Sequence, residues 1–435
     1  MSSILYTNEK QGAYPPSYYA ASADPLPAFD PILGEQKCDV CVIGAGFSGL
    51  SAALHLRKAG YDVVLLDAHR IGWGASGRNG GQVGSGQRLD PLELEELVGG
   101  DVAAKLWNLG EQAKAMISHL TDQYSIECDF VSGVINANHR KSYAEETRRY
   151  VDHIQRTYGY ENLTYLSQED LSDIVPTNAY FDGTYDTGAG HLQPLRFSFG
   201  LAKACIELGV RIHEMSEVLS IDPGQKIDVY TASALLKTDY LVLAVNGYGG
   251  NLDAQVKRHV MPINNFIIAT EPLTEDLAKS LISNNAAVAD SKYVVNYFRL
   301  SSDRRLIFGG RESYRYRFPT DIKSYVRQAM LKVYPHLKDT RIDFGWGGVV
   351  GITMNRMPHF QWLSPNMITI GGYSGHGVAL ATLGGAIAAE AIGGVAERFS
   401  LMEAVPSDAF PGGGRLRLPL LSLGMAYYSL LDRLS

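Results

Sequence analysis

The hydrophobic pattern sharpens at residue 38. Residues 38–43 (CDVCVI) form a short, nearly continuous apolar run, as a strand covered on both faces requires. A glycine-rich stretch follows, Gly44-Ala45-Gly46-Phe47-Ser48-Gly49. Leu50, Ala53 and Leu54 then recur at helical spacing over 49–59, with Leu56 at the margin of the stripe. Arg57 and Lys58 stand near the end of that helix, where its dipole favours cations, and Gly60 stops it. Residues 61–67 (YDVVLLD) read as a second buried strand. The order is strand, glycine turn, helix, strand.

Ahead of this unit, residues 1–36 read as an irregular arm rich in Tyr, Pro, Ala and Ser. Behind it, 71–82 (IGWGASGRNGGQ) has glycines at 72, 74, 77, 80 and 81 and no periodicity, which predicts a loop held close to something. Residues 91–175 carry helix-like charged stretches, including 141–155, with a strand near 131–136. A second βαβ-like fragment spans 195–245, with a helix at 199–208, a strand at 211–213 and an apolar run at 240–245. The segment 257–345 looks antiparallel, its runs 293–300 and 306–310 forming a hairpin across the polar loop SSDRR. Alternation returns with a strand at 367–370, the cluster Gly371-Gly372-Tyr373-Ser374-Gly375-His376-Gly377 and a helix of small residues over 378–392. No internal repeat or low-complexity tract interrupts the series.

Composition narrows the class. A chain of 435 residues, 46% hydrophobic and 20% charged, has material for two globular domains. A net charge of −7 with no dense basic run argues against general nucleic-acid binding, since nothing neutralises phosphates. The opening residues lack a cationic start and a continuous apolar block, and no stretch is long enough without polar residues to span a membrane. The expectation is a cytoplasmic protein without membrane contact, and its 4 cysteines fit a reducing compartment. Cys38 and Cys41 form a C-x-x-C, but strand residues three apart point to opposite faces, so core packing is expected rather than a redox pair or a zinc knuckle.

The chemistry begins at Gly44–Gly49. A G-x-G-x-x-G alone is a weak signal. Here it follows a buried strand, opens a helix and is answered about 20 positions on by Asp67 at the end of the next strand. Gly44 makes the tight turn, Gly46 lets a pyrophosphate approach the backbone and Gly49 lets helix and strand pack closely. The free N–H groups of the helix start suit phosphates, and Asp67 suits a ribose. The late glycine cluster selects FAD over a nicotinamide: a helix N-terminus close to a flat ligand would stabilise the negative charge of a reduced flavin. The plainer alternative is a Gly/Ala helix that is merely closely packed.

Individual residues leave alternatives open. His376, between two glycines, either bonds flavin or substrate, or relays a proton, or only fills space. Arg78 and Asn79 either approach the flavin or staple their loop. Trp346, Tyr293, Tyr297 and Tyr373 form aromatic walls around a cationic amine or pack as ordinary core. No metal-ligand cluster, Ser-His-Asp motif or Walker A sequence is present, so hydride chemistry falls to the cofactor.

These residues resemble the FAD-dependent glycine and D-amino-acid oxidase family. The marks are 17–22 (SYYAAS), 38–50 (CDVCVIGAGFSGL), 70–82 (RIGWGASGRNGGQ), 373–378 (YSGHGV), 410–413 (FPGG) and 426–434 (AYYSLLDRL). The resemblance implies an α/β fold: a discontinuous Rossmann-type FAD-binding domain (37–90, 190–256 and 346–400) with an inserted mixed or antiparallel α+β substrate domain (91–189 and 257–345). Residues 401–435 would form a tail, apolar over 416–431, with Tyr427 and Tyr428 structural. The cofactor would be lined by Gly44, Ala45, Gly46, Phe47, Ser48 and Gly49, by Asp67 and Ala68, and by Gly74, Ala75, Ser76, Arg78, Asn79, Gly80, Gly81 and Gln82. Val218, Gly375, His376, Gly377 and Val378 complete that lining, Val218 touching the adenine.

Within the family, the narrower marks imply FAD-dependent oxidation of the primary amine of γ-glutamylputrescine. Hydride passes from the amine-bearing carbon to flavin N5, and the imine hydrolyses to γ-glutamylaminobutyraldehyde and ammonia. Molecular oxygen reoxidises the flavin and yields peroxide. His376, Trp346 and Tyr373 are the candidates for the catalytic surroundings, and Arg311, Tyr293 and Tyr297 for substrate binding. Arg356 is a further candidate for a carboxylate. Non-covalent FAD is expected: no cysteine follows Cys205, and Arg78 stands where some relatives attach flavin through histidine. Three rivals remain: a dehydrogenase for another amine or amino acid, a flavin-binding subunit without turnover, and a nicotinamide-dependent enzyme. Oligomeric state is not legible.

Overall fold

The computed structural model describes residues 4–250, 252–313 and 315–411. Two sheets organise them. In the first, the parallel strands Met367–Gly371, Ala234–Leu243, Gly34–Ile43, Val63–Leu66 and Arg211–His213 lie side by side in that order, with antiparallel His359–Ser364 on the outer edge. The helix Phe47–Lys58 crosses between Gly34–Ile43 and Val63–Leu66, as parallel pairing demands. Neighbouring strands at the centre of this sheet are far apart in sequence, so loops from three chain regions converge at its carboxyl edge. That edge is where open α/β sheets bind ligands.

The second sheet has nine strands, mostly antiparallel, running from Ile342–Ile352 through Met261–Thr270, Leu306–Ser313, Tyr297–Leu300, Ala287–Asp290 and Val131–Asn138 to Asp182–His191 and Gln82–Val83, with Leu163–Leu166 also pairing with Asp182–His191. The hairpin across 301–305 forms as its alternation predicts, Tyr297 pairing with Gly309 and Leu300 with Leu306. Asp182–His191 and Ile342–Ile352 are continuous in this sheet, so divisions at 190 and 346 fall inside strands.

The helix Gly377–Ile392 is buried on nearly every side. A Cβ on Gly385 would lie 2.3 Å from the Ser48 carbonyl oxygen and 2.5 Å from the Ala52 nitrogen. Its small residues therefore serve the approach of the two helices, as the packing alternative to the ligand reading expects. The cysteine expectation also changes. Cys38 and Cys41 are free and buried, yet both join one apolar cluster instead of opposite faces. The N–H groups of Asp39 and Val40 both point to the Asp62 carbonyl, and this irregularity breaks the alternation between them.

The arm is ordered where it touches the body. Ser17 caps a short helix, Tyr18–Ser22, by accepting from the Ala20 N–H at 3.1 Å, and Tyr19 is fully buried. The apolar segment 416–431, Tyr427 and Tyr428 and the mark at 426–434 lie outside the described residues. Among those described, no helix is long and apolar enough to cross a membrane.

Candidate active site

Loops at the carboxyl edge of the first sheet and one face of the second enclose a cavity of about 960 Å³. Its floor is the first glycine turn. Gly44 takes φ +104°, which an L side chain resists, and its N–H donates to the Leu66 carbonyl at 2.8 Å. A Cβ on Gly49 would stand 1.8 Å from the Gly44 carbonyl oxygen. Gly46 begins the helix Phe47–Lys58 without a side-chain cap, leaving N–H groups for a ligand, although the Phe47 N–H is taken by Ser76 Oγ at 2.9 Å. Asp67 closes the turn: its carboxylate accepts the Ala45 N–H and the His69 N–H, each at 2.7 Å. Burial pushes its pKa up to about 6 against those two bonds.

The loop over 71–82 is held by its own polar residues. Arg78 Nη1 and Nη2 pair with Glu9 at 2.8 and 2.5 Å, Nε donates to the Trp73 carbonyl, and Nη1 also reaches the Gly347 carbonyl. Asn79 donates to the Ala75 and Ser76 carbonyls and accepts from the Gly81 N–H. Both line the cavity, but their polar atoms are spent on the staple. The arm lies over this loop: Gly12 N–H bonds His69 Nδ1, His69 Nε2 bonds the Leu5 carbonyl, and Trp73 stacks on His69 at 3.6 Å.

The late glycine cluster forms the opposite wall. Gly375, His376, Gly377 and Val378 line the cavity, and the helix Gly377–Ile392 begins there with no side-chain cap. His376 Nε2 is buried without a partner. Burial, then the Arg88 cation, lowers its pKa to about 4, so the imidazole is neutral at pH 7. The Tyr373 hydroxyl shares a 2.7 Å hydrogen bond with Ser48 Oγ, and burial keeps that phenol protonated.

Most of the expected residues meet here. Gly44, Gly46, Phe47, Ser48, Asp67, Ala68, Gly74, Ala75, Ser76, Gly80, Gly81, Gln82, Val218, Tyr293 and Tyr297 all line the cavity. Tyr297 donates to Asn265 Oδ1 at 2.5 Å. Ala45 and Gly49 lie behind the turn and shape it without lining the cavity. Two candidates are displaced. Trp346 is buried away from the cavity, donating from Nε1 to the Arg78 carbonyl at 3.0 Å and packing edge-on to Tyr19. Arg311 points elsewhere, with its guanidinium over the Tyr325 ring and a bond to Gln328 Oε1. The strand geometry that sets which face each residue takes is what moves them.

Other lining residues had no signal in the sequence: Arg88, Asn136, Asn138, Tyr150 and Tyr248. They are isolated positions on separate elements. Among the described residues no His, Cys, Asp or Glu group is arranged to hold a metal ion.

The cavity suits FAD. Two uncapped helix starts border it, His376 and Tyr248 line it and each keeps a buried polar atom without a partner, and its volume lies near the top of the range of about 300–1,000 Å³ for ligand pockets. The comparisons agree. The chain is 39% identical over 418 residues to the probable oxidoreductase OrdL of Rhizobium meliloti, covering 96% of this chain and 97% of that one. It is likewise 39% identical over 419 residues to the γ-glutamylputrescine oxidoreductase of Escherichia coli, covering 96% and 98%. Glycine oxidase of Geobacillus kaustophilus shares the fold, with a TM-score of 0.69 at 18% identity over 82% of this chain and 95% of that one. Residues 39–391 match the DAO family, and the protein is a member of this family of FAD-dependent oxidoreductases.

Proposed function

We propose that this protein oxidises the primary amine of γ-glutamylputrescine to γ-glutamylaminobutyraldehyde in the cytoplasm. The balance is R–CH2–NH2 + O2 + H2O giving R–CHO + NH3 + H2O2. The observation that carries the reading is the likeness, along nearly the whole of both chains, to the γ-glutamylputrescine oxidoreductase of Escherichia coli. Bound FAD supplies the two-electron acceptor.

The chain's own residues contribute orientation and a suitable medium. Gly44, Gly46 and the start of Phe47–Lys58 would hold the pyrophosphate of bound FAD, Asp67 and Val218 its adenosine, and Gly375–Val378 would lie toward its ring. Tyr297, locked by Asn265, and Tyr293 present aromatic faces to the amine-bearing chain. A free alkylamine is protonated at pH 7, and an apolar wall lowers its pKa toward the neutral form that can react. His376 is neutral and can hold or pass a proton at Nε2. The FAD is non-covalent in this reading, because none of the cysteines lines the cavity and Arg78 is committed to Glu9. Acid precipitation should then leave the flavin in the supernatant; a yellow pellet would refute this.

The deciding experiment is peroxide release in air from γ-glutamylputrescine, putrescine, sarcosine and D-alanine. Rapid peroxide with γ-glutamylputrescine alone is expected. Flavin bleaching without peroxide would replace the oxidase with a dehydrogenase, and turnover of only another amine would replace the substrate.

A further inference from the structure

One buried charged cluster plays no part in the site described above. Lys114 lies on the helix Gly100–Gln123 and is buried. Its Nζ donates to Ser85 Oγ at 2.5 Å and to the Tyr160 hydroxyl oxygen at 2.8 Å, and it pairs with Glu111 Oε2 at 2.9 Å. Asp186, on the strand Asp182–His191, accepts the Ser85 hydroxyl at 2.5 Å and the Tyr160 hydroxyl at 2.6 Å. Ser85 and Tyr160 therefore each stand between an ammonium and a carboxylate. Close packing brings the helix within reach: a Cβ on Gly110 would lie 2.3 Å from the Gly86 carbonyl oxygen.

The cluster has a cavity end and a solvent end. Ser85 lines the cavity, and His376 lies against the same loop, since a Cβ on Gly84 would stand 2.4 Å from His376 Cε1. At the other end the Glu111 side chain is 28% exposed. Burial raises Glu111 against the pull of Lys114, which eases its taking up a proton. Burial, then Asp186, keeps the Tyr160 phenol protonated. Arg88 and Lys114 act on His376, and Asp186 acts on Tyr150, Tyr160 and Glu111, which completes the charged and titratable groups around the path. Packing gives little reason for the cluster, because apolar side chains of similar volume often stabilise a fold as well as a buried ion pair does.

An alkylamine reaches the enzyme as an ammonium, and one proton must leave before the hydride can. We propose that Ser85, Asp186, Tyr160, Lys114 and Glu111 form a relay that carries this proton from the cavity to solvent. The ammonium N–H bond breaks, and Ser85 Oγ takes the proton while handing its own to Asp186. Lys114 passes a proton to Glu111 and recovers one from Asp186 through the Tyr160 hydroxyl, and Glu111 sheds its proton to water. One proton enters, one leaves, and no electron moves. Ser85 meets the substrate, and the other four act through it. The inference rests on the amine oxidation proposed above, though not on which amine is oxidised.

The test follows bleaching of the FAD-loaded enzyme by saturating amine without oxygen, from about pH 6 to about pH 10. Asp186 also accepts the Gly188 and Ala189 N–H groups at 3.0 and 3.1 Å, so its substitution would disturb a turn, and the relay is cut at its two ends instead. Ser85→Ala should bleach about a hundredfold more slowly than wild type at about pH 7 and within about twofold of it at about pH 10, where the amine arrives neutral. Glu111→Gln, which keeps an acceptor for Lys114 but sheds no proton, should converge with wild type in the same way. Each variant is checked for flavin content and melting temperature. A merely structural role lowers the rate by one factor at every pH, so a profile parallel to wild type in either variant overturns the relay alone. A wild type that none of γ-glutamylputrescine, putrescine, sarcosine and D-alanine bleaches overturns the amine reading, and the relay with it.

Discussion

The two ends of the cavity are built differently. The nucleotide end is made of backbone: the turn from Gly44 to Gly49, the Asp67 carboxylate pinning Ala45 and His69, and the glycine loop through Gly81. Apart from Val218, its segments lie within one stretch of about 40 residues. The end proposed for the amine is made of side chains, with Arg88, Asn136, Tyr150, Arg356 and the neighbouring Tyr293 and Tyr297 arriving from five separate parts of the chain. A phosphate group needs N–H donors and room, which glycines supply in a fixed local order. A substrate of particular shape needs one side chain from each of several directions, and no spacing rule links them.

The contrast can be broken most severely at Gly49. Gly49→Val puts carbon where the Gly44 carbonyl already stands, so purified protein should carry almost no flavin, read as the ratio of visible to ultraviolet absorbance. Normal flavin loading would mean that the turn is not the cofactor's floor. A smaller effect is expected at Glu9→Gln, which leaves the buried Arg78 guanidinium without its carboxylate. The variant should lose about 3 kcal/mol of unfolding stability and release FAD faster. Stability unchanged in urea would show that the arm and the glycine loop are independent.

The smallest effect separates the second sheet from the first. His191 ends the strand Asp182–His191, and burial, then Arg299, lowers its pKa to about 3. Its unfolded value is near 6.5, so the unfolded chain takes up a proton first as pH falls. Stability is therefore full above about pH 6.5 and declines as pH falls toward about 3, with a loss near 2 kcal/mol at about pH 5. Urea unfolding of wild type and His191→Gln at pH 7 and 5 should show a shallower decline in the variant. Parallel declines would remove His191 from the account.

Legibility followed the same division. The turn at Gly44, the helix over 49–59, the hairpin near 301–305 and the strand at 367–370 were all readable, because each rests on local periodicity or turn chemistry. The roles of side chains were not. Arg78 and Asn79 carried both readings in the sequence, and Glu9, 69 positions away, made Arg78 a staple. Trp346 and Arg311 were expected near the amine, but each side chain packs away from the cavity. Small residues over 378–392 carried both a ligand reading and a packing one, and Gly385 shows that they admit a neighbouring helix.

The sequence alone determined that a dinucleotide turn exists, where it lies and which family the chain resembles. Such a turn is a local solution to backbone sterics, and its glycines have few substitutes. Tertiary structure decided which face each strand residue shows, what the arm covers and that Arg88 and Arg356, 268 positions apart, reach one cavity. Those facts depend on contacts between residues distant along the chain, and a side chain's partner is fixed only when the sheets and helices that carry both are packed together.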